Sequence, residues 1–285
     1  MERWINIAGT VVRVTGPDTD LSPEPGILAP FLLPECPHTH ELDIRLADAL
    51  PSQAGTCVFS DPARRVYRTE NALTTYIGSV GKSVDDAYIR VVREGNRHTA
   101  LVKRSAVPDR IHAKTVLTAM EAEHIIVSNG GFLLHASCIE VNGEAILFTA
   151  PSGTGKSTQA ALWEKYRGAE VINGDRIAVC VSDNGAEARG VPFAGSSGIS
   201  KSRQLPLRAI VHLAQAPATT VAPLRGYRAF RYLWEGCSVY TWNRADVAQC
   251  ADTVQRVLAH VPVYHMACTP DEAAVAALEV TLRKG

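Results

Sequence analysis

The chain of 285 residues contains the segment Ala150-Pro-Ser-Gly-Thr-Gly-Lys-Ser-Thr158, from which the rest of its organisation can be inferred. The segment follows an apolar run at 145–149 and leads into helical spacing from Lys156 to Arg167. A buried strand, a glycine-rich turn and a helix start are the context of a phosphate-binding loop. Gly153 and Gly155 lack a Cβ, so backbone N–H groups can turn towards phosphate oxygens. The sequence therefore predicts a nucleotide phosphate site.

The side chains of this Walker A-like loop have predicted roles. Lys156 would reach the β- and γ-phosphates, and the Ser157 hydroxyl would bind Mg²⁺. One departure from the usual pattern is Ala150, which stands where the first glycine is expected. The predicted nucleotide-binding residues are Ser152, Gly153, Thr154, Gly155, Lys156, Ser157 and Thr158.

The composition limits the class of protein. Lys+Arg and Asp+Glu both number 29, so charge gives no support for a nucleic-acid partner or an anionic membrane. Seven scattered cysteines without a C-x-x-C pair argue against a disulfide framework and a structural zinc site. The amino terminus lacks signal-peptide features, and no apolar run approaches a membrane span. We therefore expect a globular cytoplasmic protein with one large domain or two smaller ones.

Residues 1–108 are predicted to form a β-rich domain, with the boundary at Pro108 and Asp109. No catalytic constellation stands out in this part, so a packing or substrate-presenting role is expected. A helix from Ala113 to Ser128 should follow the boundary and end at Asn129-Gly-Gly131. The strand candidates are Ile5–Val14, Glu41–Leu46, Cys57–Ser60, Leu73–Ile77, Tyr88–Arg93 and Thr99–Val102.

Two apolar runs after this helix, joined by Asn142-Gly143, predict a β-hairpin whose register can be read from the sequence. In a two-residue turn without a bulge, opposed residues have numbers that sum to 285. His135 then lies opposite Ala150, at the entrance to the phosphate loop. A histidine in an apolar strand is commonly a core residue, but this register favours a functional His135 beside the phosphates.

The next strand, Glu170–Ile172, ends in Asn173-Gly-Asp-Arg176. An acidic residue at the carboxyl end of a strand beside a phosphate loop can hold Mg²⁺ or accept a hydroxyl proton. Asp175 is therefore a candidate catalytic and metal-binding residue. The alternative is a turn residue, because Asn-Gly-Asp is also good turn chemistry.

A loop rich in glycine and serine occupies residues 192–203 and carries two cations. Such a loop can hold an anionic or hydroxyl-bearing substrate through backbone N–H groups and cationic side chains. A surface linker would have the same composition, and the two alternatives stay open. The predicted substrate-binding residues are Ser196, Ser197, Lys201 and Arg203.

Taken together, His135, the Asn-Gly hairpin, the phosphate loop and Asp175 resemble the catalytic domain of HPr kinase/phosphorylase. That family shares its nucleotide-binding core with ATP-dependent phosphoenolpyruvate carboxykinase, and the resemblance covers roughly residues 109–285. It is greatest to HPr-kinase-like proteins of bacterial peptide-modification pathways, including lasso-peptide kinases, which phosphorylate a serine of a precursor peptide. The shared features are Gly195-Ser-Ser-Gly198, the strand Leu207–Leu213 and the ending Val263–Glu272.

The resemblance implies an α/β fold: a P-loop kinase domain of the HPr kinase/phosphoenolpyruvate carboxykinase type, preceded by the smaller β-rich domain. It implies that His135 is the active-site histidine and that Lys156 and Ser157 bind phosphate and Mg²⁺, with Asp175 as the catalytic acid. The family has two adjacent aspartates where this chain has Gly174-Asp175, which leaves the reverse, phosphorylase reaction open.

The expected function is transfer of the γ-phosphoryl of ATP, with Mg²⁺, to a serine hydroxyl of a peptide or small protein. One alternative is a kinase of a free metabolite such as serine. Another is a non-catalytic ATP-binding adaptor that escorts a precursor peptide. The expected partners are ATP and the acceptor, without nucleic acid or membrane, and the sequence leaves homo-oligomerisation open.

Overall fold

The computed structural model describes residues 2–17, 27–78, 86–106, 113–182 and 185–284 of a mixed α/β protein. Its contacts divide the chain into two units, Met1–Ile125 and Ile126–Gly285. The predicted boundary at Pro108 and Asp109 lies outside the described residues.

The first unit is built on a nine-stranded mixed sheet in the described part of the chain. Strands β2 and β4, and also β4 and β9, run parallel, and the other neighbours are antiparallel. The order across the sheet is β3-β1-β2-β4-β9-β8-β7-β6-β5. The strands are β1 (Glu2–Ile7), β2 (Thr10–Thr15), β3 (Leu32–Leu33), β4 (His40–Ala47), β5 (Thr56–Ser60), β6 (Arg64–Arg68), β7 (Leu73–Ile77), β8 (Ile89–Glu94) and β9 (Arg97–Lys103).

Most of the predicted strands of this unit are present, but one predicted strand is wrong in its length. The run Ile5–Val14 forms a hairpin, because Ala8 and Gly9 both have positive φ (51° and 93°) and reverse the chain. The predicted hairpin between β8 and β9 is confirmed, with Glu94 paired to Arg97. Strand β6 was not predicted.

The predicted single helix at 113–128 is also wrong, since two helices occupy the region: α1 (Ala113–Ala119) and α2 (Ala122–Ser128). They are separated by Glu121, whose φ of 50° cannot continue an α-helix. The buried Glu121 carboxylate accepts a hydrogen bond from Thr75 at 3.0 Å and lies 2.9 Å from Nε of Arg93. The break therefore coincides with a buried ion pair between distant parts of the sequence.

The His98 side chain is fully buried beside this ion pair. Its burial, together with the positive charge of Arg93, lowers the pKa of His98 to about 3. His124 and His40 act in the same direction on that pKa, and the carboxylate of Glu121 lies 3.9 Å from the His98 ring. The unfolded chain, with an ordinary histidine pKa of about 6.5, binds this proton more readily than the folded chain. Acid therefore favours unfolding through His98.

We expect His98 to lower the free energy of unfolding by about 1.4 kcal/mol for each pH unit as pH falls from about 6 towards 3. Replacing it by glutamine should remove this part of the pH dependence. Urea unfolding followed by circular dichroism between pH 7 and pH 4 measures the slope. Equal slopes for wild type and His98→Gln would contradict the assignment.

The second unit contains the phosphate loop and a second mixed sheet, with the order β11-β10-β13-β14-β15-β18-β16 and with β12 and β17 also paired to β10. Strand β15 runs parallel to both β11 and β18, so their carboxyl ends share one edge of the sheet. The strands are β10 (Gly131–Val141), β11 (Glu144–Thr149), β12 (Glu170–Asn173), β13 (Arg176–Ser182), β14 (Gly185–Arg189), β15 (Gln204–Gln215), β16 (Thr220–Leu224), β17 (Cys237–Ser238) and β18 (Val263–Cys268).

The predicted register of the Asn142-Gly143 hairpin is confirmed. Both turn residues have positive φ (53° and 81°), as a tight two-residue hairpin turn requires, and Ile139 pairs with Ile146. The ladder ends at Ala136 opposite Thr149, one step before the predicted pair of His135 and Ala150. At that step β10 changes partner, since His135 pairs with Arg176 of β13.

After the phosphate loop, the described part of this unit contains the α-helices α3 to α6, and the pleat of β10 separates the two apolar clusters on which they pack. Leu134, Ala136 and Cys138 belong to the cluster that includes α4 and α5, whereas Ile139 belongs to the cluster that includes α3 and α6. His135 therefore alternates onto the α3 side of the strand. The helices are α3 (Lys156–Arg167), α4 (Gly226–Gly236), α5 (Arg244–His260) and α6 (Glu272–Lys284).

Candidate active site

The phosphate loop connects the end of β11 to the first residue of α3. Gly155 precedes the helix with a φ of 116°, and Gly153 has a φ of 79°, conformations that favour glycine. Ala150 is buried and is not among the residues with positive φ, so this position accommodates a β-carbon. The free N–H groups at the start of α3 suit an anion, and the Ser152, Ser157 and Thr158 side chains are exposed there.

The Lys156 side chain turns back over its own loop. Its ammonium donates hydrogen bonds to the carbonyl oxygens of Ala150 at 2.9 Å and Pro151 at 3.3 Å. Burial lowers the pKa of Lys156, and the carboxylate of Asp175 opposes that shift. The Ser137 hydroxyl donates to the backbone carbonyl of Lys156 at 2.9 Å and joins β10 to the helix start. An anion bound in the loop would compete with these two carbonyls for the lysine.

The His135 and Asp175 side chains lie together, with 3.5 Å between Nε2 of the ring and Oδ1 of the carboxylate. Burial lowers the pKa of His135, the charge of Lys156 lowers it further, and Asp175 opposes both. The imidazole is therefore mainly neutral at pH 7, because its pKa lies below the ordinary value of about 6.5. Lys156 and Asp175, which are distant from His135 in the sequence, thus both act on the pKa of its imidazole.

The Asp175 turn is held by Asn173, a residue whose role was not predicted. The fully buried Asn173 side chain accepts hydrogen bonds from the backbone N–H groups of Asp175 and Arg176, both at 2.9 Å. Its amide donates to the carbonyl of Val191 at 3.0 Å, and Ala136 N–H donates to the carbonyl of Asp175. The turn chemistry recognised in the sequence therefore serves to fix the carboxylate.

Arg176 is a second residue for which no role was predicted, although it ends the Asn-Gly-Asp-Arg segment. Its Nε lies 3.4 Å from Oδ2 of Asp175, and its guanidinium lies 5.8 Å from the ring centroid of Phe193. The two carboxylate oxygens of Asp175 therefore face different partners: His135 on one side and Arg176 on the other.

The glycine- and serine-rich loop contacts the Asp175 turn through its backbone. A β-carbon on Gly195 would lie only 2.6 Å from the Asp175 side chain, and one on Gly174 would lie 2.6 Å from Cβ of Ser197. Glycine is therefore required at both positions, because the neighbouring side chains leave no room for a β-carbon. The small residue before Asp175, where the resemblance implies a second aspartate, leaves room for Ser197.

The two cations of that loop are occupied by carboxylates elsewhere. Lys201 pairs with Glu170 at 2.8 Å, and Arg203 pairs with Glu140 at 2.6 Å. Within the described ranges, neither side chain makes a contact with the Asp175 side chain.

Gln215, at the end of β15, also contacts the phosphate loop, a contact that was not predicted. Its side-chain amide donates a hydrogen bond to the carbonyl of Gly153 at 3.3 Å.

The residues present fit Mg²⁺ only as a metal shared with phosphate. Among the described residues, no group of three or more His, Cys, Asp and Glu side chains could hold a metal ion. Mg²⁺ commonly takes one or two protein ligands and completes its octahedron with phosphate oxygens and water. Ser157 and Asp175 are ligands of the right chemistry for such a site.

None of the described helices is both long enough and apolar enough to cross a bilayer.

Similarity to known proteins is found in both the sequence and the structure. The Hpr(Ser) kinase/phosphatase from Coxiella burnetii is among the solved structures that match, with 13% identity over 53% of this chain and 88% of that chain. Its TM-score is 0.31, a similarity that supports no statement about activity. No curated protein gives a significant match. The profile of the family described as SynChlorMet cassette protein ScmC matches residues 111–269, more than half of the sequence. This range contains the phosphate loop, His135 and Asp175, and the chain belongs to the ScmC family.

Proposed function

We propose that this protein is a kinase that transfers the γ-phosphoryl of ATP to a serine hydroxyl of a peptide or small protein. The observation that carries the proposal is the His135–Asp175 pair, 3.5 Å apart at the carboxyl edge of the sheet, where the charge of the phosphate-loop lysine acts on the His135 ring. A phosphate loop alone is consistent with nucleotide binding. A carboxylate held beside it adds a group that can act on an acceptor hydroxyl.

In the proposed reaction, the loop N–H groups and Lys156 stabilise negative charge on the β- and γ-phosphates. The acceptor oxygen attacks the γ-phosphorus as the bond to the bridging oxygen of ADP breaks. Asp175 takes the hydroxyl proton, and the neutral His135 positions that carboxylate or donates to a γ-phosphate oxygen. Ser157 and Asp175 would hold Mg²⁺, which would supply further neutralisation of the phosphate charge.

Two alternatives make different predictions about turnover. An ATP-binding adaptor needs the loop, but it has no use for a base fixed by Asn173. A metabolite kinase needs the same chemistry with a smaller acceptor. Residues 1–108 are proposed to present the substrate. A domain with that role favours a peptide or small protein as the acceptor over free serine.

The rate of ADP release, measured with and without candidate acceptors, tests the proposal. Peptides encoded beside the gene and free serine are the two acceptor classes to compare. A kinase should release ADP faster when its acceptor is present. Tight ATP binding without acceptor-stimulated ADP release for any of them would support the adaptor.

His135 supplies a further test that separates a catalytic role from a core role. We expect His135→Ala to lower turnover on the order of 10²-fold, as loss of a positioned polar group at a reacting centre does. Its effect on the free energy of unfolding should be small, because the side chain is 37% exposed. Turnover and urea unfolding of the same preparation give both quantities.

The matched control is His260→Ala, which removes an exposed histidine at the end of α5. That variant should retain normal turnover and stability. If His135→Ala loses stability while its turnover per folded molecule is unchanged, His135 is a structural residue.

A further inference from the structure

We infer that Ser196 is itself a phosphorylation site, which the active site of the same chain modifies when no other acceptor is bound. The inference rests on the proposed kinase activity and adds a modification site that this activity does not require. It follows from the contact between the loop that carries Ser196 and the Asp175 turn.

The backbone next to Ser196 is in contact with the candidate base. A β-carbon placed on Gly195 would lie 2.6 Å from Cβ and Cγ of Asp175 and 3.0 Å from its Oδ1. This is the oxygen that faces His135 at 3.5 Å. Adjacent Cα atoms are about 3.8 Å apart, so Ser196 is one residue step from van der Waals contact with the carboxylate.

The two serines of the loop differ in their hydrogen bonds. The Ser197 hydroxyl donates to the carbonyl of Ala194 at 2.8 Å and accepts from the N–H of Ile199 at 3.2 Å. These bonds hold a single 3₁₀ turn, Gly195–Ser197. Its first residue, Gly195, and the residue that follows it, Gly198, have positive φ. Ser196 lies on the exposed side of this turn, and among the described residues its side chain has no hydrogen-bond partner. Ser196 therefore offers the available hydroxyl.

The proposed step is balanced with ATP as the phosphoryl donor. The Ser196 oxygen forms a bond to the γ-phosphorus, and the bond from that phosphorus to the β,γ-bridging oxygen breaks. ADP leaves with the electron pair of the broken bond, and the serine proton passes to Asp175. Because the loop is tethered beside the site, its hydroxyl is present at high effective concentration and needs no separate binding step.

The test uses the full chain incubated with Mg–ATP and no added acceptor, followed by intact mass and by fragmentation to locate phosphate. We expect one phosphate on Ser196, at a rate per molecule that does not change on dilution, since the reaction is intramolecular. Ser196→Ala should lower the initial rate of incorporation about tenfold or more. Ser196→Thr, which keeps a hydroxyl, should restore incorporation on residue 196.

Ser202→Ala is the matched control, because it removes another exposed serine of the same stretch and should leave incorporation unchanged. Phosphate on other residues, unchanged incorporation in Ser196→Ala, or a rate that rises with protein concentration would overturn the inference. Absence of self-phosphorylation in a preparation that phosphorylates an added acceptor would overturn the inference alone. Failure of any ATP turnover would overturn the proposed function as well.

Discussion

Replacement of Lys156 by alanine should lower phosphoryl transfer about 10³-fold, the upper range for loss of one charge-stabilising group from a preorganised site. The ammonium is the cation of the phosphate loop and is held inside it by the carbonyls of Ala150 and Pro151. No ion pair engages it among the described residues, so it is available to an entering phosphate. Its removal costs two hydrogen bonds to loop carbonyls that water can replace, so the fold should survive.

Initial rates of ADP formation, with circular dichroism on the same samples, measure this effect. Lys165→Ala is the matched control, because Lys165 is an exposed lysine on the same helix. Near wild-type turnover in folded Lys156→Ala would refute the assignment of the whole site.

Asp175→Asn should also reduce transfer about 10³-fold, as expected for loss of a general base with nearly unchanged shape. The backbone hydrogen bonds that Asn173 and Ala136 make to residue 175 do not depend on its side chain, so the turn should be retained. Among the described residues, the Asp175 carboxylate is paired with His135 and Arg176 and makes no hydrogen bond or ion pair with the phosphate loop. Affinity for ATP should therefore weaken much less than turnover does.

Asp252→Asn, an exposed position on α5, controls for the loss of one negative charge. Equilibrium nucleotide binding and initial rates distinguish the two effects. If Asp175→Asn phosphorylates its acceptor normally, Asp175 is a turn residue and the base lies elsewhere.

The features predictable from the sequence are those encoded by local chemistry. The Asn142-Gly143 turn admits one tight register, and that register places Ile139 opposite Ile146, as the structure confirms. The start of α3 and its end at Gly168, which has a left-handed φ of 64°, follow from the same kind of local signal.

The features that were missed depend on contacts between residues far apart in the sequence. The helix predicted across Glu121 is broken where that carboxylate reaches Arg93 and Thr75 on two strands. Charge and composition could not show that Lys201 pairs with Glu170 on a neighbouring strand. Strand β6, Arg64–Arg68, has three arginines in five residues and gives little apolar alternation to detect.

The candidate site shows the same division. The phosphate loop is recognisable as a motif, and the hairpin register brought His135 towards it. The hydrogen bonds of Asn173, the approach of Arg176 to Asp175 and the packing of Gly195 all depend on how β10, β13 and the loop at 192–203 fold together. Their residue types alone are those of an ordinary turn.

The activity proposed for this site is transfer of the γ-phosphoryl of ATP to a serine in a peptide. Incubation of the full chain with [γ-³²P]ATP, the peptides encoded beside its gene, and free serine tests it most directly. Separation by size distinguishes label on the chain itself from label on either acceptor. We expect label on a serine of one peptide, and its loss in the Lys156→Ala and Asp175→Asn variants. Bound ATP without label on any peptide, or label on free serine instead, would contradict this proposed activity.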